Sequence, residues 1–147
     1  MAYHTQQFRE LIQDVLTEVN LWSKSAENLL LGTAAQESRF GTYLRQLGRG
    51  PALGAFQIEP ETFADLKARY HTKYPWAENY EFEQLRWDLK ASILFCRLKY
   101  LSVKEPLPDA NNVQALARYW KKYYNTYLGK GTPEEFILNY QKYVGMS

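Results

Sequence analysis

Apolar residues recur at three- and four-residue intervals in six stretches of this chain, and that period dictates a mainly helical fold. Phe8, Leu11, Ile12, Val15, Leu16 and Val19 form the first stripe, predicting a helix over about residues 5–22. Ser25 precedes a second helix that begins at Ala26-Glu27-Asn28-Leu29 and runs to about Gln36 or Glu37. Its apolar residues crowd more than one face, so it should be central. A third helix, carrying Phe63 and Leu66, is expected to start near Glu61 or Thr62, with a loop over about residues 71–81. Leu85, Leu89, Ile93, Cys96 and Tyr100 share one face of a long helix over about residues 82–102. Val113, Leu116, Ala117, Trp120 and Tyr124 form the fifth stripe. Thr132-Pro133-Glu134-Glu135 is a capping box with proline at the first helical position, and it opens a last helix with Phe136, Tyr140, Tyr143 and Val144 inward.

Between the second and third helices, Gly41, Gly48, Gly50, Pro51 and Gly54 mark an irregular segment with a small hairpin at about residues 41–58. The class is therefore mainly α, of the α+β kind. With 147 residues, no repeat and no linker, residues 1–147 read as one domain. Cys96 is the only cysteine, so no internal disulfide forms and the fold must rest on its core. The 12 Tyr, 7 Phe and 4 Trp are too much apolar mass for a disordered chain. A formal charge of +2, spread among acids, gives no reason to expect a nucleic-acid partner. No apolar run approaches the ~20 residues that span a bilayer, so no integral membrane segment is expected. The N-terminus lacks the basic and apolar regions of a secretory signal.

Glu37 ends an apolar helix where the chain turns into the glycine-rich segment. A carboxyl half in a low-dielectric environment and half in a cleft has its charged form disfavoured, as a general acid near neutral pH requires. A surface Glu near a helix end is the plainer reading, although a helix C-terminus is an unfavourable place for a carboxylate.

Glu37-Ser38-x-x-Gly41, followed by Gly54-x-x-Gln57-Ile58-x-Pro60-x-Thr62, resembles the signature of lytic transglycosylases and goose-type lysozymes. Asp88-Leu89-Lys90-Ala91-Ser92-Ile93 through Tyr100-Leu101 is similar to the helix before that family's third motif, Ala115-Leu116-Ala117-Arg118-Tyr119 to the motif's start, and Asn139-Tyr140 to its closing pair. The likeness covers roughly residues 25–145 and is strongest over 34–62. Phe56 stands where the family has Met, and Trp120-Lys121 break the third motif. Tyr119 fits the residues before it and is the preferred motif tyrosine. Tyr124-Asn125 fits the Tyr-Asn pair and is the alternative.

The resemblance implies a lysozyme-like fold and cleavage of the β-1,4 bond between N-acetylmuramic acid and N-acetylglucosamine in peptidoglycan glycan strands. Glu37 would be the catalytic residue, first an acid toward the glycosidic oxygen and then a base toward the C6 hydroxyl, closing a 1,6-anhydro ring. Ser38, Phe56, Gln57, Ile58, Tyr119 and Tyr124 are the implied substrate-binding residues. Ser38 is expected either to hold the Glu37 carboxyl or to cap the helix. Gln57 either meets an acetamido group, orients Glu37, or bonds the hairpin backbone. Tyr43 is a weaker candidate for the sugar cleft. Arg39, Arg45 and Arg49 lie in a stretch, residues 38–58, that has no Asp or Glu, and they either meet carboxylates of the substrate or form a solvated face. Glu59 and Glu61 are the nearest downstream acids; Glu59 fills a variable position, and Glu61 reads as helix-dipole chemistry. Transglycosylation is therefore preferred to hydrolysis, a muramidase acting on the same bond being the alternative. A non-catalytic lysozyme-like module of a phage particle is the rival from another class.

No cofactor is implied, and His4 and His71 are too isolated to suggest a metal site. Gly129-Lys130-Gly131-Thr132 lacks the frame of a phosphate loop. A wall-degrading enzyme without a secretion signal is expected to be of phage type, released through a holin or carried in the virion. The first helix, outside the matched region, is left as a packing element or an oligomer contact.

Overall fold

Six α-helices carry the fold in the computed structural model, which describes residues 2–48 and 50–145. They are α1 (Thr5–Glu18), α2 (Lys24–Ser38), α3 (Pro60–Tyr70), α4 (Leu89–Leu101), α5 (Val113–Trp120) and α6 (Pro133–Tyr143). Two 3-10 turns, Pro75–Asn79 and Phe82–Arg86, lead into α4, and a π-helical turn, Lys121–Asn125, continues α5.

The helix ends follow from local chemistry. α1 stops at Glu18, short of the expected end, because Asn20 takes a left-handed conformation and closes the helix. The Leu21 amide bonds to the Leu16 carbonyl at 2.8 Å and the Asn20 amide to Thr17 at 3.1 Å, a Schellman pair. α2 is capped by Ser23 rather than Ser25: the Ser23 hydroxyl accepts from the Ala26 amide at 3.0 Å. α3 starts on Pro60 itself, where a missing N–H costs nothing. The long helix expected over 82–102 is broken at Trp87, and Asp88 Oδ1 caps α4 by accepting from the Ala91 amide at 3.0 Å. α6 begins as expected, with the Thr132 hydroxyl accepting from the Glu135 amide at 3.1 Å.

α2 is the central element and packs against α1, α4, α5 and α6. Every residue from Ala26 to Ala35 is buried. Its approach to α6 depends on Gly32, where a Cβ would overlap the Phe136 ring. α1 is held to α2 by Glu27, fully buried, which accepts from Arg9, from Lys24 at 3.0 Å and from the Trp22 indole at 2.9 Å. Cys96 is buried on α4 as a free thiol.

The described residues between α2 and α3 form no extended strand. It is pinned by two isolated antiparallel bridges, Arg45 to Leu53 and Leu53 to Ile58, so the small hairpin region is a folded loop centred on Leu53. Among the described residues, no helix is long and apolar enough to cross a membrane.

Candidate active site

Three consecutive residues with positive φ, Arg39, Phe40 and Gly41, turn the chain sharply as α2 ends, so Glu37 is the last carboxyl before an abrupt corner. Left-handed backbone at Arg39 and Phe40 costs about 1–2 kcal/mol per residue. It is offset at Phe40, whose fully buried ring packs against Phe8 at 5.1 Å and stacks on Tyr143 at 5.8 Å. Ser38 stitches the corner: its hydroxyl donates to the Ala34 carbonyl at 3.1 Å and accepts from the Gly41 amide at 2.8 Å. Ser38 is fully buried and both of these bonds go to backbone, so it caps the helix and neither holds the Glu37 carboxyl nor faces a substrate. On the preceding residue, Gln36 Oε1 accepts from Asn139 Nδ2 of α6 at 2.7 Å, which fixes the end of α2 from a second side.

The Glu37 carboxyl, partly exposed, opens into a cleft of about 290 Å³ lined also by Tyr43, Gln46, Leu47, Ala52, Gln57 and Glu59. Its Oε2 accepts from the indole N–H of Trp120 at 3.0 Å. Burial pushes the Glu37 pKa up to about 7. The Trp120 hydrogen bond and the Lys99 charge pull against that rise, while the Glu59 charge adds to it. Glu37 is thus poised to give up a proton and take one back near neutral pH, the property a general acid needs.

Gln57 shares the cleft as expected. It sits at φ +51°, and its amide Nε2 donates to the Gly54 carbonyl at 2.9 Å, leaving Oε1 without a protein partner among the described residues. The backbone reading of Gln57 therefore holds for one end of the amide, and the other is free to meet a ligand. Gly54 is required here: it has φ +87°, and a Cβ would overlap the Leu85 carbonyl oxygen.

Phe56 and Ile58 do not line the cleft. Both are buried, at 0% and 1% exposure, because the loop turns these side chains into the core. The Phe56 ring instead lies 6.2 Å from that of Phe8. What Phe56 offers the site is its carbonyl, which accepts from the Tyr124 hydroxyl at 2.6 Å. Tyr119, the preferred motif tyrosine, bonds elsewhere: its hydroxyl donates to the Glu105 carbonyl at 2.9 Å. Tyr124, on the π-helical turn, is the tyrosine that ties the end of α5 to the loop of Gln57. It too is buried, with Lys99 Nζ 3.6 Å from its ring centroid and Tyr100 stacked on it at 5.2 Å. It supports the loop and does not contact the cleft.

The cleft aromatic is Tyr43, whose hydroxyl accepts from the Arg39 guanidinium at 3.3 Å. Arg45 lies on a separate cavity with Pro51, Pro60 and Phe82, and Arg49 is outside the described residues. Glu59 is exposed at the N-cap of α3, yet its side chain caps no amide and lines the cleft instead. Sequence reasoning passed over Lys99, weighed Glu59 only as an acid at a variable position, and read Trp120 only as a core residue that breaks the resembled motif. For Trp120 a signal existed, since a core tryptophan must find an acceptor for its indole N–H. Among the described residues, no His, Cys, Asp and Glu cluster with the make-up of a metal site. Comparison with protein-family models, curated proteins and solved structures yields no match, so the functional reading rests on this cleft and on the sequence blocks that build it.

Proposed function

We propose that the protein cleaves the β-1,4 bond between N-acetylmuramic acid and N-acetylglucosamine in bacterial cell-wall peptidoglycan, with Glu37 as the general acid. The observation that carries this reading is a cleft carboxyl whose pKa is pushed up to about 7, at the one position where the sequence blocks also put an acid. Protonated Glu37 donates to the glycosidic oxygen, and the departing sugar leaves positive charge at C1 of the muramic acid. The resulting carboxylate is stabilised by the Trp120 N–H and the Lys99 charge. It then takes the proton of the C6 hydroxyl as that oxygen bonds to C1, closing a 1,6-anhydro ring without consuming water. One residue serves as acid and base, and it returns to its starting protonation state. Gln57 Oε1 is placed to accept from an acetamido N–H, and Tyr43 offers an aromatic face to a sugar.

One observation favours a second outcome at the same bond, hydrolysis. Glu59 lines the cleft with Glu37, and a pair of carboxyls is what general glycoside hydrolysis uses. In that reading Glu59 accepts a proton from an attacking water while Glu37 protonates the leaving oxygen. Mass analysis of released muropeptides separates the outcomes. Anhydro ends, lighter by one water, are expected from the transglycosylase, and reducing ends would replace that reading with the hydrolytic one. No release of soluble fragments would overturn both and leave a non-catalytic lysozyme-like module.

A further inference from the structure

A second cleft of about 240 Å³ lies between α3, the end of α4 and the π-helical turn, and its lining includes Thr62, Asp65, Arg69, Lys99 and Tyr123. Two cations and one acid leave this lining with one positive charge in excess. Among the described residues, neither Arg69 nor Lys99 has a carboxylate within ion-pairing distance. Arg69 lies with its guanidinium 5.4 Å from the Tyr70 ring centroid. The Lys99 side chain is half-buried, with its ammonium over the Tyr124 ring and donating to the Tyr124 carbonyl oxygen at 3.3 Å. A half-buried cation with no carboxylate in contact is costly to keep, and an anionic ligand would offset that cost. Lys99 also stands between the two clefts: the ring beneath its ammonium is that of Tyr124, whose hydroxyl donates to the Phe56 carbonyl beside Gln57 of the first cleft.

We infer that this second cleft binds a carboxylate of the peptide stem carried by the muramic acid, with Arg69 and Lys99 as its cationic partners. The inference rests on the proposed action on peptidoglycan and names the part of that substrate the enzyme selects. A single carboxylate matches the single excess charge, and the Arg69 fork suits its two oxygens. The Thr62 hydroxyl adds a donor on the same wall. The arginines of residues 38–58, the sequence-based candidates for this task, do not line this cleft.

The test compares cleavage of peptidoglycan that keeps its peptides with cleavage of glycan strands stripped of them by an amidase. Wild type is expected to favour the peptide-bearing strands by about tenfold in kcat/KM, carried by KM. Arg69→Ala should lose most of that preference while cleaving stripped strands at the wild-type rate, Arg69→Lys should keep part of it, and Asp65→Asn should increase it. Equal cleavage of both substrates by wild type, or an equal loss on both in Arg69→Ala, overturns the inference while the glycosidase reading stands. If neither substrate is cleaved, the glycosidase reading fails, and the inference is read by NMR titration with a soluble muramyl peptide and with the same sugar lacking its peptide. Amide shifts at Thr62, Arg69 and Lys99 with the peptide alone support it, and their absence overturns it.

Discussion

The indole N–H of Trp120, on the last residue of α5, donates to Oε2 of Glu37, near the end of α2, at 3.0 Å. Both residues are held from elsewhere: Trp120 is fully buried, with its ring 5.4 Å from that of Phe136, and the end of α2 is tied through Gln36 to Asn139. Trp120, a departure from the resembled motif, thus supplies the hydrogen bond that holds the Glu37 carboxyl.

Trp120→Phe removes a bond that favours the carboxylate, so the Glu37 pKa is expected to rise above its value of about 7. The basic limb of the pH–activity profile should move to higher pH, with a lower maximal rate because the carboxylate formed after proton donation is less well stabilised. An unmoved limb contradicts the assignment of that limb to Glu37.

Glu59→Gln works in the opposite direction. Removing its charge takes away a cause of the raised Glu37 pKa, and the basic limb should move to lower pH. If Glu59 also serves as a base toward water, the variant will in addition lose reducing-end products. Lys99→Met should move the limb up, as loss of a favourable charge requires.

The raised Glu37 pKa also has a cost in stability. Because the folded state holds this proton up to about pH 7 and the unfolded chain releases it near 4.5, stability falls as pH rises through that window. Glu37→Gln should therefore be more stable than wild type at pH 8, by on the order of 2–3 kcal/mol, and about equal to it at pH 4. Thermal unfolding at the two pH values measures this difference.

Glu27 has the reverse sign. Burial raises its pKa, but hydrogen bonds from Trp22, Lys24, Arg9 and Gln13 outweigh that and hold it below the usual carboxylate value of 4.5. The stability it contributes is present above that value and is lost as pH falls through the lowered folded pKa. Glu27→Ala, which strands Arg9 beside a buried Asn28, is expected to cost about 3–5 kcal/mol in denaturant unfolding at pH 7.

The two candidate tyrosines separate by mutation. Tyr124→Phe leaves the Phe56 carbonyl without its 2.6 Å donor and loosens the loop that presents Gln57, so it should lower both stability, by about 1–3 kcal/mol, and activity. Tyr119→Phe, which frees only the Glu105 carbonyl, should leave activity near wild type. The opposite ranking would return the motif role to Tyr119.

Elements with signals written into adjacent residues were legible in the sequence. Thr132, Pro133 and Glu135 specify the start of α6 locally, and the all-round apolar character of residues 26–35 identified α2 as central. The break at Trp87 was hidden because Leu85 and Leu89 keep the helical spacing across it, and only the Asp88 cap marks the new start. Ser25 was read before the second helix, but Ser23 bonds the Ala26 amide, and which serine bonds depends on where the chain arrives from α1. At the site, Glu37 and Gln57 were legible as paired blocks. Phe56 and Ile58 were not, because a tight loop with Gly54 and Gln57 at positive φ turns their side chains inward. Trp120 bonds Glu37 from α5 while the Lys99 and Glu59 charges act on it from two other parts of the chain, and only tertiary packing brings these together.

The most direct measurement compares wild type with Glu37→Gln for release of soluble muropeptides from purified peptidoglycan, at equal folded concentration. The general-acid role predicts fragments with anhydro ends from wild type and a loss of at least about a hundredfold in rate for the variant, which keeps the shape of the cleft but has no proton to give. Release by Glu37→Gln at the wild-type rate would contradict it.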